Sequence, residues 1–131
     1  MLFHSFNSQE ERRKCGGSDF IEIQHCSLNK NTPLKDIVSN DFISSWKDDS
    51  LYIYCNDMNI FYNIYENIIT GGTYSNFESG CMDLYGINYY SPEKTSLIIE
   101  NLTDEKPAEY KVLLKWLENS KNSNGFYIFG V

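Results

Sequence analysis

The chain has only two histidines, His4 and His25, and its four cysteines, Cys15, Cys26, Cys55 and Cys81, form no C-x-x-C pair. A zinc site would have to be assembled from scattered positions, so neither a metal nor a cofactor is expected. Cations are scarce as well: 11 Lys and Arg against 18 Asp and Glu leave a formal net charge of −7. A nucleic-acid binder needs cations to displace counterions from phosphates, which argues against direct nucleic-acid binding and against docking on anionic membranes. No apolar run approaches the length of about 18 residues that a membrane span requires. The start, "MLFHSFNSQEERRKCGG", turns charged before any apolar stretch of signal length. A cytoplasmic protein with reduced thiols is the expectation.

What is present is a globular composition. Hydrophobic residues make up 41% of the chain and aromatics 15%, enough for one ordinary core in 131 residues. One domain spanning residues 1–131 is expected, with residues 1–17 as a flexible arm, a short strand at Leu2–Phe6, or both. Ten tyrosines and eight phenylalanines suit an aromatic-rich core, or an interface where an apolar ring with a polar tip is useful. The acidic balance fits a basic partner, because opposite fields steer association.

Hydrophobic periodicity orders the chain into elements. "DFIEIQHC" alternates, with Ile21, Ile23 and His25 on one side and Glu22, Gln24 and Cys26 on the other, as a strand does. "NTPLKDIVSNDFISSWKDD" places Leu34, Ile37, Val38, Phe42 and Trp46 at helical spacing, with Thr32 as cap and Pro33 at the first position. "LYIYC" (51–55) reads as a strand covered on both faces; Met58–Ile69 reads as a helix stopped by Gly71-Gly72, with a strand after a tight turn at Asn56-Asp57 as the alternative. Residues 80–90 read as a strand with a close approach or bulge at Gly86. Ser91-Pro92-Glu93 opens the next helix, and a further helix restarts at Pro107 with Ala108, Val112, Leu113, Trp116 and Leu117 buried. Asn124-Gly125 turns into a final strand, "FYIFGV". The sum is an α+β or α/β sandwich, a mixed sheet of four to five strands packed with about four helices.

The stretch "GGTYSNFESGCMDLYGINYYSPE" (71–93) carries the most chemistry. Its glycines have no lysine behind them and follow a helix, so they do not make a phosphate loop. Cys81 shares its strand face with Asp83, which disfavours a thiolate, and only His25 or His4 could act as its base. Cys26, Cys55 and Cys81 read as small buried hydrophobes, and His25 as a half-buried, hydrogen-bonded side chain. The carboxylates, most on helix ends and loops, read first as solvated charge. What is left is a partner surface: Glu78, Asp83 and Glu93 beside Tyr85, Tyr89 and Tyr90, with Asp48 and Asp49 as further acids, would meet the cations of a basic protein.

In size, acidity and AT-rich coding style, and in the layout of "MDLYGINYYSPEKTSLIIENL" and the terminal "NGFYIFGV", the chain resembles bacterial immunity proteins. These neutralise toxin domains, including those of contact-dependent growth inhibition systems. The resemblance covers about a third of the chain and carries over no individual functional residue. It implies a non-catalytic protein that binds a cognate basic toxin, often a nuclease, and covers its active site or excludes its substrate. Two other classes stay open: an acidic nucleic-acid mimic of the anti-restriction or anti-CRISPR type, and a small enzyme using Cys81 or His25.

Overall fold

A computed structural model describes residues 1–16, 19–44, 46–120 and 122–131. It is an α+β fold built on one six-stranded sheet in the order β2-β1-β6-β5-β3-β4. The strands are β1 (Phe20–His25), β2 (Leu51–Tyr54), β3 (Gly72–Thr73), β4 (Ser79–Gly80), β5 (Ile87–Tyr90) and β6 (Phe126–Phe129). Every pairing is antiparallel, so the sheet is not mixed, and it has more strands than expected. The extra strands are the two-residue hairpin arms β3 and β4, which are too short to leave an alternating pattern in the sequence. The α-helices are α1 (Gln9–Gly16), α2 (Leu34–Ile37), α3 (Met58–Tyr65), α4 (Pro92–Glu105) and α5 (Tyr110–Glu118).

The sheet's inner face carries the core. Ile21, Ile23, Ile53, Tyr90, Phe126 and Ile128 meet Phe61 and Tyr65 of α3, Ile98 and Leu102 of α4, and Leu113 and Leu117 of α5. The outer face carries two smaller apolar clusters. One joins Tyr89 and Tyr127 to Ile37 and Val38 beside α2. The other joins Phe20 and Tyr52 to Phe6 of the N-terminal segment. That segment is seated rather than loose: Leu2 and Phe3 are buried in the core, and His4 forms an antiparallel bridge with Tyr52. The backbone N–H of Leu2 donates to both oxygens of Glu109, at 2.8 and 2.9 Å. Gly17, where the arm was expected to end, lies outside the described residues.

The expected long helix after Pro33 is broken. α2 has only four residues, Pro33 is its N-cap, and a 3-10 turn follows at Asn40–Phe42. The run Ser39-Asn40-Asp41 explains the break. These side chains compete for backbone hydrogen bonds, and Ser39 Oγ accepts from the N–H of Asp41 at 3.3 Å. Leu34 and Phe42 are consequently exposed rather than buried. Helix α3 is shorter than expected, ending at Tyr65, although Ile68 and Ile69 remain in the core through the turns that follow. Pro107 lies in a link between two left-handed residues, Lys106 and Glu109, and α5 begins only at Tyr110. Ala108 and Val112 are therefore exposed, whereas Leu113, Trp116 and Leu117 are buried. Helix α4 starts as its sequence dictates: Pro92 opens it and Ser91 Oγ accepts from the N–H of Lys94.

Residues 81–85 keep the expected alternation of burial, but residues 80–90 do not form one continuous ladder. Met82 and Leu84 point into the core and Cys81, Asp83 and Tyr85 point out, yet only Ile87–Tyr90 form the strand β5. Further along, both faces of β5 are covered, so the adjacent Tyr89 and Tyr90 are both buried. The space beside β6 is closed by glycines. Gly125 has φ +79°, and a Cβ there would overlap the carbonyl oxygen of Tyr90. Gly125→Ala is expected to destabilise the protein by about 3 kcal/mol, combining left-handed strain with that overlap. Removing the α4 cap with Ser91→Ala should cost only about 1 kcal/mol. Urea unfolding of both variants checks the order, and a Gly125→Ala protein as stable as Ser91→Ala would contradict the close approach.

Candidate functional site

Between the two outer-face clusters lies a cleft of about 590 Å³. Its floor is a row of paired residues crossing four strands. Tyr52 on β2 opposes Glu22 on β1, Glu22 opposes Phe129 on β6, and Phe129 opposes Ile87 on β5. One wall is Arg12 of α1. Another is the segment after α2, with Asn40, Ile43 and Ser44. Ser75 and Tyr85 stand at the rim and come from the β3–β4 turn and from the loop that leads into β5.

Glu22 is 6% exposed, an unusual place for a carboxylate. Its Oε2 accepts from Ser50 Oγ at 2.7 Å, from Gln24 Nε2 at 2.9 Å and from the Tyr52 hydroxyl at 3.2 Å. Burial pushes its pKa up, and those three bonds and the nearby Arg12 charge only partly oppose the shift. The Tyr52 hydroxyl is pushed up in turn, by its own burial and then by the Glu22 charge. Arg12 is itself 8% exposed and lies over the rings of Phe20 and Tyr52, 5.8 and 5.7 Å from their centroids. It forms no ion pair with Glu22, and among the described residues its buried Nε has no hydrogen-bond partner.

The rim is held by a buried asparagine. Asn88 Oδ1 accepts from the N–H of Asp83, and its Nδ2 donates to the carbonyls of Asp83 (2.7 Å) and Ile128 (3.0 Å). Asp83 Oδ1 then accepts from the N–H of Tyr85 at 2.9 Å. Gly86 leaves room for this, since a Cβ there would come 2.6 Å from Asp83 Oδ2. Gly86 does sit at a close approach, but to the Asp83 side chain rather than to another backbone, and it lies in the loop before β5. The neighbouring β3–β4 hairpin turns through Asn76, whose Oδ1 accepts from the N–H of Glu78 at 3.0 Å. That turn holds Phe77 at φ +71°, a left-handed conformation that costs a residue with a Cβ about 1–2 kcal/mol. Phe77 is 58% exposed and Tyr85 72%. Both Asp83 and Glu78 act on the Tyr74 hydroxyl, whose pKa is raised first by desolvation and then by charges that include them.

The residues expected at a partner surface therefore fall into separate places. Glu78, Asp83 and Tyr85 share the loops at one end of the sheet. Tyr89 and Tyr90 are interior: Tyr89 donates to the Asn124 carbonyl at 2.7 Å, and Tyr90 stacks on Phe126. Two adjacent residues on a strand covered on both faces are both buried, which alternation alone does not reveal. Asp48 and Asp49 precede β2, at the opposite edge of the sheet, beside Lys115 and Trp116. Glu93 is exposed in the first turn of α4, beyond the other end of β5. Phe77 and the Arg12–Glu22 cleft were missed. A phenylalanine set among turn-forming residues in "YSNFESG" is the signal for the first, whereas the second depends on long-range packing.

The thiols and histidines do not assemble. Cys81 is exposed rather than buried, Cys55 is half-buried in a 3-10 turn, and Cys26 is buried, 3.5 Å from the Tyr127 hydroxyl. His25 is half-buried against Trp116, with rings stacked 3.7 Å apart, but its buried Nδ1 has no hydrogen-bond partner among the described residues. Burial lowers its pKa, opposed by Asp49. Three strands separate β1, which ends in His25, from β4, which leads into Cys81. Among the described residues, no helix is long and apolar enough to cross a membrane.

Glu22 makes stability depend on pH with a definite sign. Its folded pKa lies above the ordinary 4.5, so the native state holds the proton where the unfolded chain has released it. Below the unfolded value the stabilisation is fully present, and it is lost as pH rises through the folded value. Glu22→Gln, permanently neutral, lacks that loss. The unfolding free energy of Glu22→Gln minus that of the wild type should grow as pH rises from 4.5 toward neutrality. Urea titrations of both proteins across that range read the difference, and a flat difference would mean that the buried carboxylate carries no penalty.

Comparison with known protein families, with curated proteins and with solved structures found no match for this chain.

Proposed function

We propose that this chain is a non-catalytic binding protein that captures a basic protein partner on the rim formed by the β3–β4 hairpin and the loop before β5. The observation that carries the reading is the pairing of two exposed aromatic rings, Phe77 and Tyr85, with the carboxylates of Glu78 and Asp83. Aromatic rings supply contact area at little conformational-entropy loss, and rings of this kind dominate affinity when a partner covers them. The rim is also pre-ordered. The Asn88 clamp and the Asn76 turn fix it before binding, which limits the entropy lost on association.

Its charge is open. Among the described residues the single ion pair is Lys14–Glu10 on α1, at 3.4 Å, so Glu78 and Asp83 have no internal cation. The Asp83 carboxylate, already fixed by the Tyr85 N–H, accepts an incoming Arg or Lys with little further loss of side-chain freedom. With a net charge of −7, the whole molecule attracts such a partner. The partner class that fits is a toxin domain, a nuclease with a cationic substrate groove, neutralised in the cytoplasm by stoichiometric occlusion as immunity proteins do.

The test is capture of the product of a neighbouring toxin gene by the tagged protein at low salt, with mass spectrometry of what is retained. Phe77→Ala/Tyr85→Ala should weaken the complex at least about tenfold, chiefly through faster dissociation. Glu78→Gln/Asp83→Asn should slow association and flatten its salt dependence. Both variants should unfold at nearly the wild-type urea midpoint, because these side chains are exposed. Failure to bind any basic nuclease-like partner, or capture unchanged in both variants, would overturn the proposal.

A further inference from the structure

We infer that the outer-face cleft is a binding site for a small carboxylate carried on a flat apolar body, with the Arg12 guanidinium as its anchor. The inference does not depend on the partner reading. It rests on a buried cation that makes no ion pair among the described residues. Arg12 is more than nine-tenths buried, lines the cleft, and leaves its Nε without a hydrogen-bond partner among the described residues. The carboxylate nearest in chemistry, Glu22, takes its donors from Ser50, Gln24 and Tyr52 instead and makes no ion pair with Arg12. The rings of Phe20 and Tyr52 hold the guanidinium by their faces but cannot accept its in-plane N–H bonds.

A guanidinium presents a planar fork of donors that matches a carboxylate, and its positive charge disfavours a ligand cation. The body of the ligand is set by the other walls. Phe20, Ile43, Ile87 and Phe129 supply an apolar strip in a lining that also includes Asn40, Ser44 and Ser75, and Tyr85 stands exposed at the mouth. A volume of about 590 Å³ lies within the range of small-molecule sites. Among the described residues Arg12 is the single cation lining the cleft, which favours a monocarboxylate over a diacid. A phosphate dianion, with its higher charge and no apolar body, is disfavoured for the same reasons.

The experiment is a two-dimensional amide NMR titration of the full chain with benzoate, benzyl alcohol and benzylamine. Gly86 and Gly130 line the cleft and report on it without being part of the anchor. Benzoate is expected to move both amides to saturation, and benzyl alcohol and benzylamine to bind at least about tenfold more weakly. Arg12→Gln should lose at least about tenfold in benzoate affinity while its weak response to benzyl alcohol stays the same. Arg12→Lys, which keeps the charge but not the fork, should fall between. The comparison of the three probes on the wild type needs no variant, so it stands even where Arg12→Gln unfolds. Amides unmoved by benzoate, equal affinity for benzoate and benzyl alcohol, or undiminished benzoate binding in a folded Arg12→Gln would overturn the site.

Discussion

Strand β6, the last element of the chain, holds the two halves of the sheet together. On one side it pairs with β1, and through β1 with β2; on the other it pairs with β5, and through β5 with the β3–β4 hairpin. Among the described strands no other pairing joins these halves. Its side chains reach both layers. Phe126 and Ile128 face the helices, whereas Tyr127 and Phe129 face the outer clusters. Glycines at its two ends admit the Tyr90 and Leu84 carbonyls at distances a side chain would forbid. The cleft floor, the seating of Asn88 and the position of the rim loops all follow from this one insertion.

The outer face is where burial is incomplete. A sheet with helices on one side must cover the other or leave it polar. Here short pieces cover it at two places: the N-terminal segment over Phe20 and Tyr52, and α2 with its following turn over Tyr89 and Tyr127. The gap between them falls on a carboxylate, Glu22, and an arginine, Arg12. Neither residue suits a dry core, and a better-covered face would have placed apolar side chains at both positions. The cleft and its buried charged residues are therefore two aspects of the same gap. The rim beside it has a different character, exposed aromatic rings and carboxylates on loops fixed from beneath, and Ser75, Tyr85 and Gly86 belong to both regions.

Several elements were legible because local rules decide them. Ser91-Pro92 starts α4 whatever surrounds it, since cap and first turn are satisfied within four residues. The alternation through Ile21–His25 placed Glu22 and Gln24 on the face opposite Ile21 and Ile23, as the structure has them. Trp116 and Leu117 were read correctly as buried, because α5 is amphipathic along its length. Failures came where a second surface intervened. Ile37 and Val38 pack on the outer face, but the helix drawn through them stops because Ser39 and Asn40 find other hydrogen bonds. Tyr89 and Tyr90 looked available because a strand was assumed to have one free face. Cys81 looked buried because the strand was extended through a turn that ends at Gly86.

By itself, the sequence determined a class of α+β or α/β, the acidic balance, the start of α4 and the inward set of most apolar residues. Each of these depends on composition or on neighbours within a few positions. Only the tertiary structure decided that the sheet is antiparallel throughout, that Glu78, Asp83 and Tyr85 share one rim while Asp48 and Asp49 lie at the other edge, and that Arg12 faces a cleft floored by Glu22. Those facts arise from pairings between residues dozens to more than a hundred positions apart, such as Glu22 with Phe129. A one-dimensional pattern shows which face of a strand a side chain takes, but not what the rest of the chain places against that face.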